Sequence, residues 1–357
     1  MCYKPPMAKI QKNFVILALL VFLQSGYAFG EPIYRPGPPI LSDEKVTIQT
    51  HDGRDLIYFI DRPEIDTPLP LLVLVDGSGC VGQKRPQISD FYRPVEVHRK
   101  IAQFARLRVE KPGVGHADDW PQESCSEDFL KHYTVDKRVE DHLRVLQHLR
   151  ASADWWNGEV LIFGWSDGGD IGTRLLAYYP DVTRAVLGGM GGGIPMAQHF
   201  EEDWICSDAA QVGDHEGCVA SLRKEFQRMA DNPTWKRTWS GEDNSWRVWA
   251  SRLFSTTTAL LVDNHTPVLI VHGQEDFDSL PVRGARKLVE ELTAAGNDAF
   301  EYWEVIGMKH SLSSLEDEAR ETIEICLLLW LIASEDEIGS NSSCKSLLSA
   351  DFKASKR

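Results

Sequence analysis

Three short stretches of this 357-residue chain carry residue types that together could turn an alcohol into a nucleophile. The first is Gly164-Trp165-Ser166-Asp167-Gly168, a serine with glycines two residues to either side. An alcohol reacts poorly at neutral pH, so Ser166 needs a base to take its proton and a carboxylate to hold that base in one tautomer. His310, in Gly307-Met-Lys-His310-Ser-Leu, is the candidate base. The run His272-Gly-Gln-Glu-Asp276 offers the acid; Asp276 is preferred, Asp278 is its rival and Glu275 the weakest of the three.

These groups have to be delivered by elements. Residues 160–163 have the length and composition of a buried strand, and an apolar-periodic segment (Ile171, Leu175, Leu176, Tyr179) follows the serine until Pro180 stops it. Strand, glycine-flanked serine, helix is the context in which the pattern means something. The serine sits on a sharp turn where neighbouring side chains would clash, so glycines are required around it. The turn lifts the hydroxyl clear of the sheet, and the N–H of Asp167 at the helix start faces any oxyanion formed there. Asp276 and His310 follow the strands expected at 268–271 and 300–305, which places both at carboxyl ends of strands.

The other elements alternate along the chain. Residues 45–50 and 56–61 alternate apolar and polar around His51-Asp52-Gly53-Arg54, the pattern of a hairpin. Further strands are expected at 71–75, 106–110 and 185–187, and helices at 95–104, 135–149, 282–294 and 315–333. An antiparallel start followed by strands separated by helices predicts an α/β fold, an open and mostly parallel sheet with helices on both faces.

In the order Ser…Asp…His, the G-W-S-D-G-G elbow, the H-G-x-x-D loop and the G-x-x-H-S-L loop, the chain resembles the α/β-hydrolase fold superfamily across about residues 45–333. The resemblance implies a sheet of eight strands with the first pair antiparallel, and an oxyanion hole made by two backbone amides. One amide would be that of Asp167. The other would come from Asp76-Gly77-Ser78-Gly79-Cys80, with Ser78 assigned and Gly79 next; Asp76 departs from the His-Gly start common in the family. Ser78 itself is not read as a nucleophile, since no helix follows it in the elbow register. The family's cap usually follows the sixth strand, and the tryptophan-rich insertion 195–264 stands there, long enough to be a helical lid. Its tryptophans (Trp204, Trp235, Trp239, Trp246, Trp249) either line a substrate pocket or, more often for any one of them, pack the lid. A second excursion, 113–134, carries His116, Trp120 and Cys125 toward the rim.

The domain reading is then a signal peptide at 1–30, a hydrolase core of 31–194 and 265–334, the lid at 195–264 and a disordered polar tail at 335–357. Residues 1–30 hold Lys4, Lys9 and Lys12, an apolar run and small residues before Glu31, which indicates export to the periplasm or outside the cell. With a formal net charge of −15, nucleic acid and anionic membranes are excluded as expected partners. The apolar stretch near the end, 325–333, reads as a buried helix and not as a membrane span. In an exported chain Cys206 pairs best with Cys218, and Cys80 next with Cys125, while Cys326 reads as an inert core thiol. No CxxC or His/Cys cluster at zinc spacing occurs, so neither metal nor cofactor is expected. The expected activity is hydrolysis of a small-molecule carboxylic ester through an acyl-enzyme. The alternatives are an amide or peptide hydrolase of the prolyl-oligopeptidase kind, and a non-catalytic binding protein on the same fold.

Overall fold

Continuous apolar runs such as Leu71-Leu-Val-Leu-Val75 need cover on both faces, and the sheet they build has it. The computed structural model describes residues 44–63, 65–82, 104–114, 125–207, 213–240 and 244–332. All fall in one unit of the chain, Gly37–Arg357; the other unit, Met1–Pro36, lies outside the described residues, as do the expected leader, His116, Trp120 and the tail.

Eight strands form one sheet: β1 (Glu44–Gln49), β2 (Asp55–Asp61), β3 (Leu69–Val75), β4 (Ala105–Val109), β5 (Trp156–Trp165), β6 (Val182–Gly188), β7 (Val268–Gly273) and β8 (Phe300–Val305). Their order is β1-β2-β4-β3-β5-β6-β7-β8. The pairs β1–β2 and β2–β4 are antiparallel, and all other neighbours are parallel. Successive residues of a strand point to opposite faces, and the core divides accordingly. Leu71, Val73, Val75, Ile162 and Leu187 share one face with helices α2 (Val135–Ser152), α3 (Asp167–Tyr178) and α8 (Val282–Ala294). Leu72, Leu74, Phe163, Val186 and Val271 share the other with α9 (Asp317–Ile332).

Several boundaries differ from the sequence expectation for physical reasons. β5 begins four residues before 160, because its first four residues alternate buried Trp156 and half-buried Gly158 with exposed Asn157 and Glu159 and escape an apolar-run criterion. The excursion 113–134 contains a helix, α1 (Glu127–His132), which the sequence reading missed. Ser126 caps it, its Oγ accepting the Phe129 N–H at 3.0 Å, and only Phe129 is buried in it. The final helix starts at Asp317 instead of 315, because Leu312–Ser314 form a separate 3-10 turn. The helix expected at 95–104 falls outside the described residues except for Phe104, which is not helical.

Between β6 and β7 lie α4 (Met196–His199), a π-helical turn (Phe200–Trp204), α5 (His215–Asp231), α6 (Trp246–Ala250) and α7 (Thr258–Leu261). Phe200, Phe226, Met229, Trp246, Trp249 and Leu253 give this insertion a core of its own. The Phe200 ring meets Trp204, Trp239 and Trp249 edge-on at centroid distances of 4.7, 4.8 and 5.2 Å, so most of the tryptophans do packing work here. Among the described residues no helix is long and apolar enough to cross a membrane.

Disulfides join Cys80 to Cys125 and Cys206 to Cys218, both pairs expected from the sequence. Cys326 corrects that reading. It is buried in α9 as expected, but it is disulfide-bonded, to a partner outside the described residues. Apolar surroundings alone do not keep a thiol free. Non-reducing peptide maps should therefore recover the peptides linking Cys80 to Cys125 and Cys206 to Cys218. Replacing Cys206 and Cys218 together by serine is expected to cost about 2–4 kcal/mol of stability in denaturant titrations. Freely alkylated Cys206 and Cys218 in native protein would contradict the assignment.

Candidate active site

Ser166 follows β5 directly and caps α3 in a conformation that L residues rarely adopt, with φ 58° and ψ −127°. Only glycine fits two residues to either side of it. A Cβ on Gly164 would stand 2.3 Å from the Gly168 carbonyl oxygen, and one on Gly168 would stand 2.0 Å from that of Val75. The Ser166 N–H donates to Gly188 O at 2.8 Å and its carbonyl accepts the Gly169 N–H at 2.9 Å, so both flanks of the turn are tied down.

His310 arrives on the loop after β8, where Gly307 supplies a left-handed residue with φ 72°. Its Nε2 lies 3.0 Å from Ser166 Oγ and its Nδ1 lies 2.7 Å from Asp276 Oδ2. Asp276 is 2% exposed, and its other oxygen, Oδ1, accepts the N–H groups of Ser279 and Leu280, each at 3.2 Å. Burial works against its charge, but hydrogen bonds from His272 and His310 outweigh burial and hold the carboxyl below the ordinary range. A carboxylate at Nδ1 requires the proton on that nitrogen, which leaves Nε2 as an acceptor for the serine hydroxyl. The structure thus brings Ser166, His310 and Asp276 into one hydrogen-bonded line. Asp278 and Glu275 are exposed and join no bond to His310.

Two residues that the sequence reading passed over hold this line in place. The Trp165 indole, fully buried, donates from Nε1 to the His310 carbonyl at 2.8 Å, so the residue before the serine also anchors the histidine loop. His272, also fully buried, donates from Nε2 to Leu280 O at 2.6 Å and lies 3.4 Å from Asp276 Oδ2. Both stood inside the motifs, but only as letters of the pattern.

Asp167 begins α3 beside the serine, and Ser78 lies in the loop after β3; both line the same cavity as Ser166 and His310. The cavity measures about 390 Å³, and Met196, Phe200, Trp204, Trp249 and Arg252 of the insertion line it too. Gly77 packs against the nucleophile, since a Cβ there would lie 3.3 Å from Ser166 Cβ. The Asp167 carboxylate accepts hydrogen bonds from Tyr133 OH at 2.7 Å and Arg138 Nη1 at 2.9 Å, and forms an ion pair with Arg252, whose Nη2 lies 3.1 Å away. Burial alone would raise its pKa, but the charges of Arg252 and Arg138 and the tyrosine bond bring it down to about 2. Asp170, one turn further on, has no comparable support and is pushed up to about 6 by burial. Arg138, Arg252 and Lys111 read in sequence as ordinary charged positions, and nothing in their spacing marks them.

No family model matches the sequence, and a search of curated proteins returns no relative. Solved structures do match in fold. Est1E from Butyrivibrio proteoclasticus superposes with a TM-score of 0.51 at 14% identity, over 81% of this chain and 99% of its own. An esterase from Pyrococcus furiosus gives 0.51 at 14% identity, over 83% of this chain and 97% of its own. The acylaminoacyl peptidase of Pyrococcus horikoshii gives 0.54 at 15% identity, over 84% of this chain but 44% of its own. With the sheet order described above, these similarities show that the chain has the α/β-hydrolase fold.

Proposed function

We propose that this protein is an exported serine hydrolase that cleaves a carboxylic ester of a small molecule through an acyl-enzyme. The observation that carries the reading is the line from Ser166 Oγ to His310 Nε2 at 3.0 Å and from His310 Nδ1 to Asp276 Oδ2 at 2.7 Å. In this reading the Ser166 hydroxyl gives its proton to His310 Nε2 as Oγ attacks the ester carbonyl carbon. The carbonyl π electrons move onto oxygen, and the amides of Asp167 and Ser78 donate to that oxyanion. Collapse expels the alcohol, which takes the proton from His310 Nε2, and water repeats the sequence to release the acid. The insertion 195–264 acts as the lid, with Phe200, Trp204 and Trp249 presenting an apolar wall to the acyl or alcohol group. Two disulfides and the leader-like residues 1–30 support export.

The roles of the three residues can be tested separately. Ser166→Ala and His310→Ala should each lower kcat by about 10³–10⁶, because the two act as a unit. Asp276→Asn should lower it by about 10⁴, by loss of the tautomer that leaves Nε2 free. Asp278→Asn should leave kcat within about threefold of the parent; loss of turnover in that variant with retention in Asp276→Asn would contradict the acid assignment.

The depressed pKa of Asp276 adds a stability prediction. Its contribution is complete above about pH 4, the unfolded value, and is lost as the pH falls through the folded value. Asp276→Asn should therefore show a smaller drop in Tm between pH 7 and pH 3 than the parent does; an equal drop would count against it. For the substrate, initial rates on p-nitrophenyl esters are expected to exceed those on aminoacyl and prolyl amides. The opposite ranking would move the reading to the amide hydrolase.

A further inference from the structure

The loop assigned to the oxyanion hole has its carbonyl groups claimed by two buried cations. The Arg138 guanidinium, on α2, donates to Asp76 O from Nη1 and Nη2, both at 3.1 Å, and to Gly77 O from Nη1 at 3.3 Å. Lys111, just past β4, donates from Nζ to Gly79 O at 2.8 Å and approaches Ser78 O at 3.4 Å. Arg138 is 2% exposed and Lys111 3%, so neither bond competes with solvent. Asp76 fixes the two cations relative to each other, its Oδ1 taking Arg138 Nη2 at 3.0 Å and its Oδ2 taking Lys111 Nζ at 3.0 Å.

In a trans peptide the carbonyl and the following N–H point in opposite directions. A Gly77 carbonyl turned to Arg138 therefore turns the Ser78 N–H away from it. Gly77 and Ser78 line the cavity that holds Ser166, and neither cation does. The same guanidinium reaches the other amide donor as well, since its Nη1 also donates to the Asp167 carboxylate at 2.9 Å. One planar fork thus spans the loop after β3 and the start of α3.

We propose that Arg138, with Lys111, is the positioning residue of the oxyanion hole, fixing the Ser78 and Asp167 amides at their separation. The inference rests on the serine-hydrolase reading and goes beyond it. Charge neutralisation of Asp76 and Asp167 would need only a cation, whereas holding both elements needs the fork. The two roles come apart in Arg138→Lys, which keeps the charge and loses the geometry.

The test compares kcat, KM and the inhibition constant of a trifluoromethyl ketone matched to the best ester, because that ketone forms the tetrahedral oxyanion while the ester ground state does not. Arg138→Lys is expected to lower kcat about 10²-fold with little change in KM, and to weaken the ketone in proportion to kcat/KM. A folded Arg138→Lys protein with kcat and ketone affinity within about threefold of the parent would overturn the inference, as would a change confined to KM. Lys111→Gln is the second arm, with the same selective loss expected in smaller degree. Failure of both variants to fold, judged by thermal melts, would overturn it in favour of a purely structural role. Full turnover by Ser166→Ala would instead remove the reading beneath, so the two failures are distinguishable.

Discussion

The arrangement depends on a serine held at φ 58°, between the end of β5 and the start of α3. Such a conformation costs about 1–3 kcal/mol for a non-glycine residue, and it persists only where its surroundings over-determine it. Here they do. Gly164 and Gly168 let backbone atoms approach where a Cβ would stand 2.0–2.3 Å from a carbonyl oxygen, and Ser166 is bonded to β6 on one side and to its own helix on the other. Because β3 lies beside β5 in the sheet, that approach also presses the loop after Val75 against the serine. The turn therefore sets where the hydroxyl stands, which backbone amides can surround it, and where a histidine must arrive from β8.

A chain of alternating charges runs beneath the turn, from Lys111 through Asp76, Arg138 and Asp167 to Arg252. Buried ions lose several kcal/mol of solvation each, and their mutual attraction often only breaks even, so this chain is weak ground for stability. Its members come from five places: the end of β4, the loop after β3, α2, the elbow and the insertion between β6 and β7. Tyr133 adds a neutral donor to Asp167, and burial pushes its phenol well above its ordinary value, so it stays protonated in that role. Removing one ion would leave its partner buried and uncompensated, which couples the loop, the elbow and the insertion.

Much of this is legible in the amino-acid sequence. The strands at 71–75 and 268–271 announced themselves because both faces of the sheet are covered and every residue in them can be apolar. Ser166, His310 and Asp276 were legible because motif and chain order place them at strand ends. The choice between Asp276 and Asp278 was not, since it depends on a loop turn that bonds the Ser279 and Leu280 amides back to Asp276 Oδ1. Arg138 and Lys111 were illegible for another reason: a charged residue on a helix or after a strand ordinarily faces water, and only the packing of α2 over the loop after β3 buries them. The bond that Trp165 makes to the His310 carbonyl spans 145 residues and has no local signature. The apolar surroundings of Cys326 announced only that it would be buried, not that it would be disulfide-bonded.

The central claim is that Ser166 is a nucleophile activated by His310. Reaction of the native protein with a fluorophosphonate, followed by intact-mass measurement and peptide mapping, tests it most directly. The account predicts a single adduct per chain, located on the peptide containing Ser166. An unmodified protein, or an adduct on any other residue with Ser166 untouched, would contradict it.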